Sequence, residues 1–497
     1  MSCCDTVDKK TIKLPISERL IAGLALSYII LPVSMFLCNW VRLYISIPLT
    51  IGLIYAGIIF CKNLSKAHKK YAKKDVIQFI VTLFLLFILA FLSGITGNVA
   101  QHGDLAVRNP IYFQLIDYAW PQRFPDGHMF IYYFSFWLPP AFVSHLFDFS
   151  RNAANWLLLA WMTLALWLAF TLYFVKSGKN IFKCLLFVLL MQTFCSDWVM
   201  VTLFRESFHG SSGFICVMWQ YSVFVNIFNH LWFTFNNSLP LIVISFLIFL
   251  KYNGKNLLLL LALAATCSPL GAIGFLPFAM WKFFTEIKES SLIVFMKEKI
   301  SIMSLVSILL VLIMFVFYSS NSGGGLRFAL MDSSYNNAIM TFSNRLLSLL
   351  VSIIAGILPV FLMYWKVQKD GLFKVYISYM IICPFIFVGL ENNELLFKSI
   401  LIPYLFFAVN LAKKDGISMK SLPRLAMLMF FCTMPLLMRN KLRSITFDGE
   451  NIAKNILLYE GEREHLYAPQ SYLYSRFVDK KNLSPYLFII PDKMVIK

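Results

Sequence analysis

Acids, bases and anion-binding side chains recur at a few places in this sequence. Asp104 and Arg108 stand four residues apart in the stretch 98–130, so a helix there would carry both on one face. Gly103-Asp104 suits the start of that helix, because a carboxylate is favoured at the positive end of the helix dipole. The pair admits two readings: a cap with its salt bridge, or a general base held at a membrane surface. His102 stands just ahead of it. A second acid, Asp197 in Cys195-Ser196-Asp197-Trp198, ends an apolar run and is followed by Arg205, Glu206 and His209. A carboxylate at a membrane boundary is costly unless it is paired or functional.

The stretch 218–240 mixes Trp219 and other aromatics with Gln220, Asn226, Asn229, His230, Asn236 and Asn237. Amides bond hydroxyls and flat faces stack on CH groups, which is what a sugar ring needs. An interfacial aromatic belt has the same composition. In 389–399, Glu394 and Lys398 form another pair four apart, readable as a helix-capping pair or as a phosphate-binding Lys with a nearby acid. Ser-Asn-Ser-Gly-Gly-Gly at 320–325 is followed by no Gly-Lys-Ser/Thr, so it is no nucleotide-binding P-loop. Hydrolase, zinc-protease, calcium-loop and dinucleotide signatures are absent, and the 10 Cys show no metal-ligand spacing.

The elements that must position these residues are membrane helices. Hydrophobic residues make up 59% of the 497 and charged ones 14%, against about 45–50% and about 25% in soluble domains. Apolar runs of spanning length recur throughout. A soluble enzyme, a disordered chain and a transmembrane β-barrel are excluded. The expected fold is all-α, a polytopic bundle of about 13 spans over 1–438, with interfacial helices in the loop 98–130 and a small cap at 439–497. Spans are placed near 21–38, 44–61, 77–97, 155–175, 181–196, 238–250, 256–268, 271–283, 300–318, 346–365, 374–390, 398–412 and 424–438. Residues 256–283 read as a tight hairpin or one broken helix. The stretch 130–147 reads as a re-entrant or interfacial segment broken at Pro139-Pro140.

The net charge of +19 does not indicate a nucleic-acid partner. Lys clusters at 62–75, 176–183, 251–255, 282–299, 366–374 and 413–424 all fall on one side if the N-terminus is cytoplasmic, as the positive-inside rule requires. They face anionic membrane lipids. The opposite side holds Arg42, Arg108, Arg123, Arg151, Arg205, Arg327 and Arg345, with six of the seven His. Arg offers a planar fork suited to phosphate. Ionisable groups are nearly absent from span interiors, which argues against an ion-coupled carrier.

A span leading into an outer loop with Asp104 and Arg108, then Tyr132-Tyr133, Pro139-Pro140, a span to the basic turn Lys176–Lys183 and a return span to Asp197, resembles the GT-C class of polytopic glycosyltransferases. The resemblance covers roughly 77–210. It implies an inverting enzyme that uses a polyprenyl-phosphate-linked sugar, with Asp104 as base and Asp197 as the supporting acid. Arg108, Arg205 and Lys398 would hold the lipid phosphate, and His102, His209, Trp219, Gln220, His230 and Glu394 would line the substrate. The acceptor would be a surface glycan or lipid-linked saccharide, at the periplasmic face of a bacterial inner membrane. The chain departs from the class in two added N-terminal spans and in lacking an acid adjacent to Asp104. A lone carboxylate is a poor divalent site, so no metal or other cofactor is expected. Competing functions are a surface-polysaccharide polymerase, an oligosaccharide flippase and a non-catalytic scaffold.

Overall fold

The computed structural model describes residues 11–62, 64–101, 103–121, 128–178, 181–190, 230–232, 234–289, 300–320, 326–328, 371–388, 394–413, 477–479 and 483–490, with isolated positions at 342–357 and 445. The chain is mostly helical. Among the described residues six helices are long and apolar enough to cross a membrane: α1 (Glu18–Trp40), α2 (Leu43–Lys62), α3 (Lys73–Phe91), α6 (Arg151–Ser177), α10 (Pro269–Glu289) and α11 (Ile302–Ser319). Between and after them come α4 (Gly103–Asp117), α5 (Leu138–Leu146), α7 (Ile181–Leu190), α8 (Phe235–Leu250), α9 (Gly254–Cys267), α12 (Gly371–Ile382), α13 (Glu394–Ser399) and α14 (Leu401–Lys413). Six of the thirteen expected spans therefore have full spanning length here. The expected span 424–438, and most of 346–365, lie outside the described residues.

Local chemistry starts and stops these helices. Ser17 caps α1, its Oγ accepting from Leu20 N–H at 3.3 Å, and Ser150 caps α6 the same way through Ala153 N–H. At 27 residues α6 is about 40 Å long, and it stops where Gly178 takes φ 76°, which a side chain would resist. Every residue of α8 is buried, so it forms the centre of the bundle, packed on α6, α9 and α14. The outer helices instead present apolar side chains outward: Ile51 is 62% exposed, Phe84 61% and Phe315 69%. So much exposed apolar surface fits helices that face lipid.

The helices alternate between two ends. At one end Lys69 pairs with Glu18 at 3.0 Å and donates to Val175 O. There too Lys251 donates to Phe60 O, and Gly254 N–H donates to Glu286. This is the Lys-rich end. Here β1 (Thr11–Lys13) pairs antiparallel with β2 (Lys70–Ala72). At the opposite end, β3 (His128–Phe130) pairs with β6 (Phe477–Asp479), and β4 (Leu326–Phe328) with β5 (Ile386–Val388). Residues 483–490 pack against the α1–α2 turn, with Arg42 N–H donating to Leu487 O at 2.9 Å and Ile489 N–H to Trp40 O.

Three local expectations change. Pro139-Pro140 does not break a helix: the pair opens α5, where the missing N–H groups leave no unsatisfied hydrogen bond. The helix α4 does not show the one-sided burial expected of an amphipathic interfacial helix. Leu105, Ile111 and Leu115 are buried, and so are Arg108, Asn109 and Gln114, with α5 packed on the helix and Tyr112 donating to Ala154 O of α6 at 2.9 Å. The stretch 374–390 is not one span. Pro384 cannot continue α12, so the chain passes through a 3-10 turn at Cys383–Phe385 and into β5. Residues 256–283 form the hairpin, α9 and α10 packing together across Ser268.

Candidate functional site at the end opposite the lysines

The predicted site residues fall into three groups. His102, Asp197, Arg205, His209, Trp219 and Gln220 lie outside the described residues. Asp104 is the second residue of α4 and Glu394 the first of α13, but their side chains lie outside the described residues. Arg108, His230 and Lys398 are described, and all three are buried.

Lys398 and His230 come together at the end opposite the lysines. The Lys398 ammonium sits 4.8 Å from the centre of the Tyr133 ring, within cation–π range, and is only 8% exposed. Lysine is seldom buried to that degree. The backbone around it explains the position. Gly274 on α10 lies so close to the Ser399 carbonyl that a Cβ would overlap it. The Tyr379 hydroxyl donates to Ser399 Oγ, and Tyr404 Oη donates to Val188 O at 2.7 Å, fastening the chain on either side of the α13–α14 junction. Gly274→Ala is therefore expected to push Ser399 and Lys398 outward. It should cost about 1–3 kcal/mol of stability, read as a lower melting temperature in detergent. An unchanged melting temperature would show that the junction is free to yield.

His230 precedes α8, outside the membrane-crossing helices. Its Nδ1 lies 3.2 Å from Ser238 Oγ and 3.4 Å from Thr234 Oγ1, and those two hydroxyls are 3.1 Å apart. Burial, with a smaller contribution from the Lys398 charge, pushes the imidazole down to about 3. Between that value and ~6.5, only the unfolded chain binds the proton. The resulting stability is complete above pH ~6.5 and is lost as pH falls toward 3. Detergent-solubilised protein should lose about 2 kcal/mol from this residue between pH 7 and pH 5. His230→Gln should flatten that part of the melting-temperature profile. Equal pH slopes in the two proteins would contradict a buried neutral imidazole.

Beside Lys398 lies a wall of amides and rings. Asn236 Nδ2 donates to Tyr133 O at 3.4 Å and to Asn237 Oδ1 at 3.2 Å. Trp137 packs edge-on to Phe235, with ring centres 5.9 Å apart, and stacks with Tyr132. Tyr133 also meets Tyr318, whose hydroxyl donates to Thr266 O at 2.8 Å. Asn236 Oδ1, Asn237 Nδ2 and Trp137 Nε1 are buried with no hydrogen-bond partner among the described residues. Each such atom costs about 1–3 kcal/mol if nothing satisfies it. Arg108 is buried on α4, which packs on α5.

Tyr133 and the amides of α8 stand out in the sequence, Tyr133 in the Tyr-Tyr pair and Asn236-Asn237 in the aromatic–amide stretch. Tyr318, Tyr379, Thr234 and Ser238 do not, because a lone hydroxyl in an apolar helix carries no spacing signal. Among the described residues no three His, Cys, Asp or Glu side chains converge as a metal site would require. No family model, no characterised protein and no solved structure matches this chain.

Proposed function

We propose that this chain is a membrane glycosyltransferase taking a sugar from a polyprenyl-phosphate donor, with its site at the end opposite the lysines. The observation that carries this reading is the buried Lys398 ammonium beside neutral His230 and Tyr133, with unsatisfied amide atoms on buried Asn236 and Asn237. A fixed cation suits a lipid phosphate, and amides beside aromatic faces suit a sugar. A donor anchored in lipid also requires an enzyme embedded in lipid, which fits the apolar outward faces of the helices. The acceptor would be a surface glycan or lipid-linked saccharide at the periplasmic face of a bacterial inner membrane.

In this mechanism an acceptor hydroxyl oxygen attacks the anomeric carbon from the side opposite the phosphate. The bond from that carbon to the phosphate oxygen breaks, and its electron pair leaves with the lipid phosphate. The hydroxyl proton passes to the Asp104 carboxylate. One configuration inverts, and no nucleotide is consumed. Lys398 and Arg108 stabilise the phosphate, which gains a negative charge as the diester becomes a monoester. Asp197 and Arg205 complete the set by the resemblance to the GT-C class.

The test uses the full chain in vesicles, supplied with a labelled polyprenyl-phosphate sugar and a cell-envelope glycan fraction. Release of polyprenyl phosphate coupled to transfer of label supports the reading. Turnover confined to lipid-diphosphate oligosaccharides would replace it with a polymerase.

A further inference from the structure

A separate feature lies at the Lys-rich end, independent of the transferase reading. Between α1 and α2 runs a groove of about 520 Å³, within the range of about 300–1,000 Å³ usual for small-molecule sites. Its floor is apolar, formed by Gly23 of α1 with Ile54, Gly57 and Ile58 of α2. The space has a simple origin: a Cβ on Gly23 would meet nothing within 4 Å. At Gly57 a Cβ would come within 3.0 Å of the Ile30 side chain, so the small residue there lets α1 and α2 approach closely behind the groove.

The mouth of this groove is basic. Arg19 Nε donates to Cys61 O at 3.1 Å and its terminal nitrogen to Lys62 O, which fixes the guanidinium over the end of α2. Lys62 lines the same mouth. The adjacent acid, Glu18, is engaged by Lys69 at 3.0 Å. Among the described residues no carboxylate pairs with Arg19 or Lys62. The two hydrogen bonds described for Arg19 go to neutral carbonyls, so no described acid neutralises its charge at the top of the apolar slot.

We propose that this groove seats an anionic glycerophospholipid of the leaflet on the Lys-rich side, one acyl chain along Gly23 and Ile54 and the phosphate at Arg19 and Lys62. The argument is charge complementarity joined to depth. A phospholipid places its phosphate at the membrane boundary, where the helix ends hold Arg19 and Lys62, and its chain in the hydrocarbon below. A zwitterionic lipid would bring the same phosphate with an ammonium group beside it, so its headgroup would offer Arg19 and Lys62 no net negative charge. Each cation near an anionic headgroup is worth about fivefold in affinity.

Native mass spectrometry of the full chain in detergent, with phosphatidylglycerol or phosphatidylcholine added at equal concentration, tests this. The expected result is retention of phosphatidylglycerol over phosphatidylcholine by about tenfold or more in the wild type. Lys62→Gln should reduce that preference by about fivefold. Gly23→Phe should abolish retention of both lipids at this site, because the ring fills the slot. Gly23→Leu serves if the larger residue does not fold. Equal retention of the two lipids overturns the proposal. So does a preference that survives both the Lys62 and the Gly23 variants, since the Lys-rich loops at large would then be responsible. Displacement of phosphatidylglycerol by free glycerol phosphate alone also overturns it, because the acyl seat would be contributing nothing.

Discussion

Asp104→Asn is expected, on the proposed transferase function, to lower the rate of sugar transfer by about 10²–10⁴-fold, the usual contribution of a positioned general base. Asparagine keeps the size and hydrogen-bonding shape of the side chain and removes only the ability to take a proton. Donor binding, measured by exchange of a labelled polyprenyl-phosphate sugar, should therefore change little while kcat falls. The placement supports this outcome. Asp104 is the second residue of α4, four positions before buried Arg108, so its backbone lies in the first turn of the helix. Retention of wild-type turnover in Asp104→Asn would remove the residue from the chemistry and leave the capping role as its explanation. A variant that loses transfer and melts several degrees lower would point to the same capping role.

Lys398→Gln is expected to lower kcat by about 10²–10³-fold, comparable with loss of one preorganised donor to a developing anion. The argument rests on when charge appears. The donor phosphodiester carries one negative charge, and the departing monoester carries more. A cation held in place by Tyr133 and the Ser399 junction is worth most when that extra charge forms. KM for the donor should rise less than kcat falls. Lys398→Arg should rescue poorly despite keeping the charge, because the wider guanidinium cannot occupy the same place over the Tyr133 ring. A loss confined to KM would show that Lys398 only binds the donor. An unchanged rate would assign the ammonium to holding α13 against Tyr133.

Much of the scaffold was legible in the residues. The apolar runs marked α1, α2, α3, α6 and α11 closely, because a helix that faces lipid must be apolar over its whole length and the sequence cannot hide that. The segregation of Lys to one end was legible for the same reason: each loop carries its own charge, and alternation follows from counting helices. The polar turn at 256–283 was legible as a hairpin or a break, and packing of α9 on α10 selected the hairpin. Proline misled twice. Pro139-Pro140 reads as a breaker until α5 is seen to begin there, and Pro384 sits in a run apolar enough to be taken for a span. A run of apolar residues reports burial or lipid contact, and it does not report whether the backbone inside is helix or strand.

The site divides along the same line. Sequence alone singled out Lys398 and His230 separately, 168 positions apart, as a charge at a helix pair and an imidazole in an aromatic stretch. Nothing in their spacing says that they meet. Their proximity is decided by the closeness of Gly274 to the Ser399 carbonyl and by the burial of α8 at the centre of the bundle, where Asn236 bonds the Tyr133 carbonyl. The residue types were thus set by composition and position along the chain, because polar groups in a membrane protein are few and each is visible. Which of them share one space depended on close approaches between helices distant in sequence, and those depend on the fit of side chains, which no local pattern records.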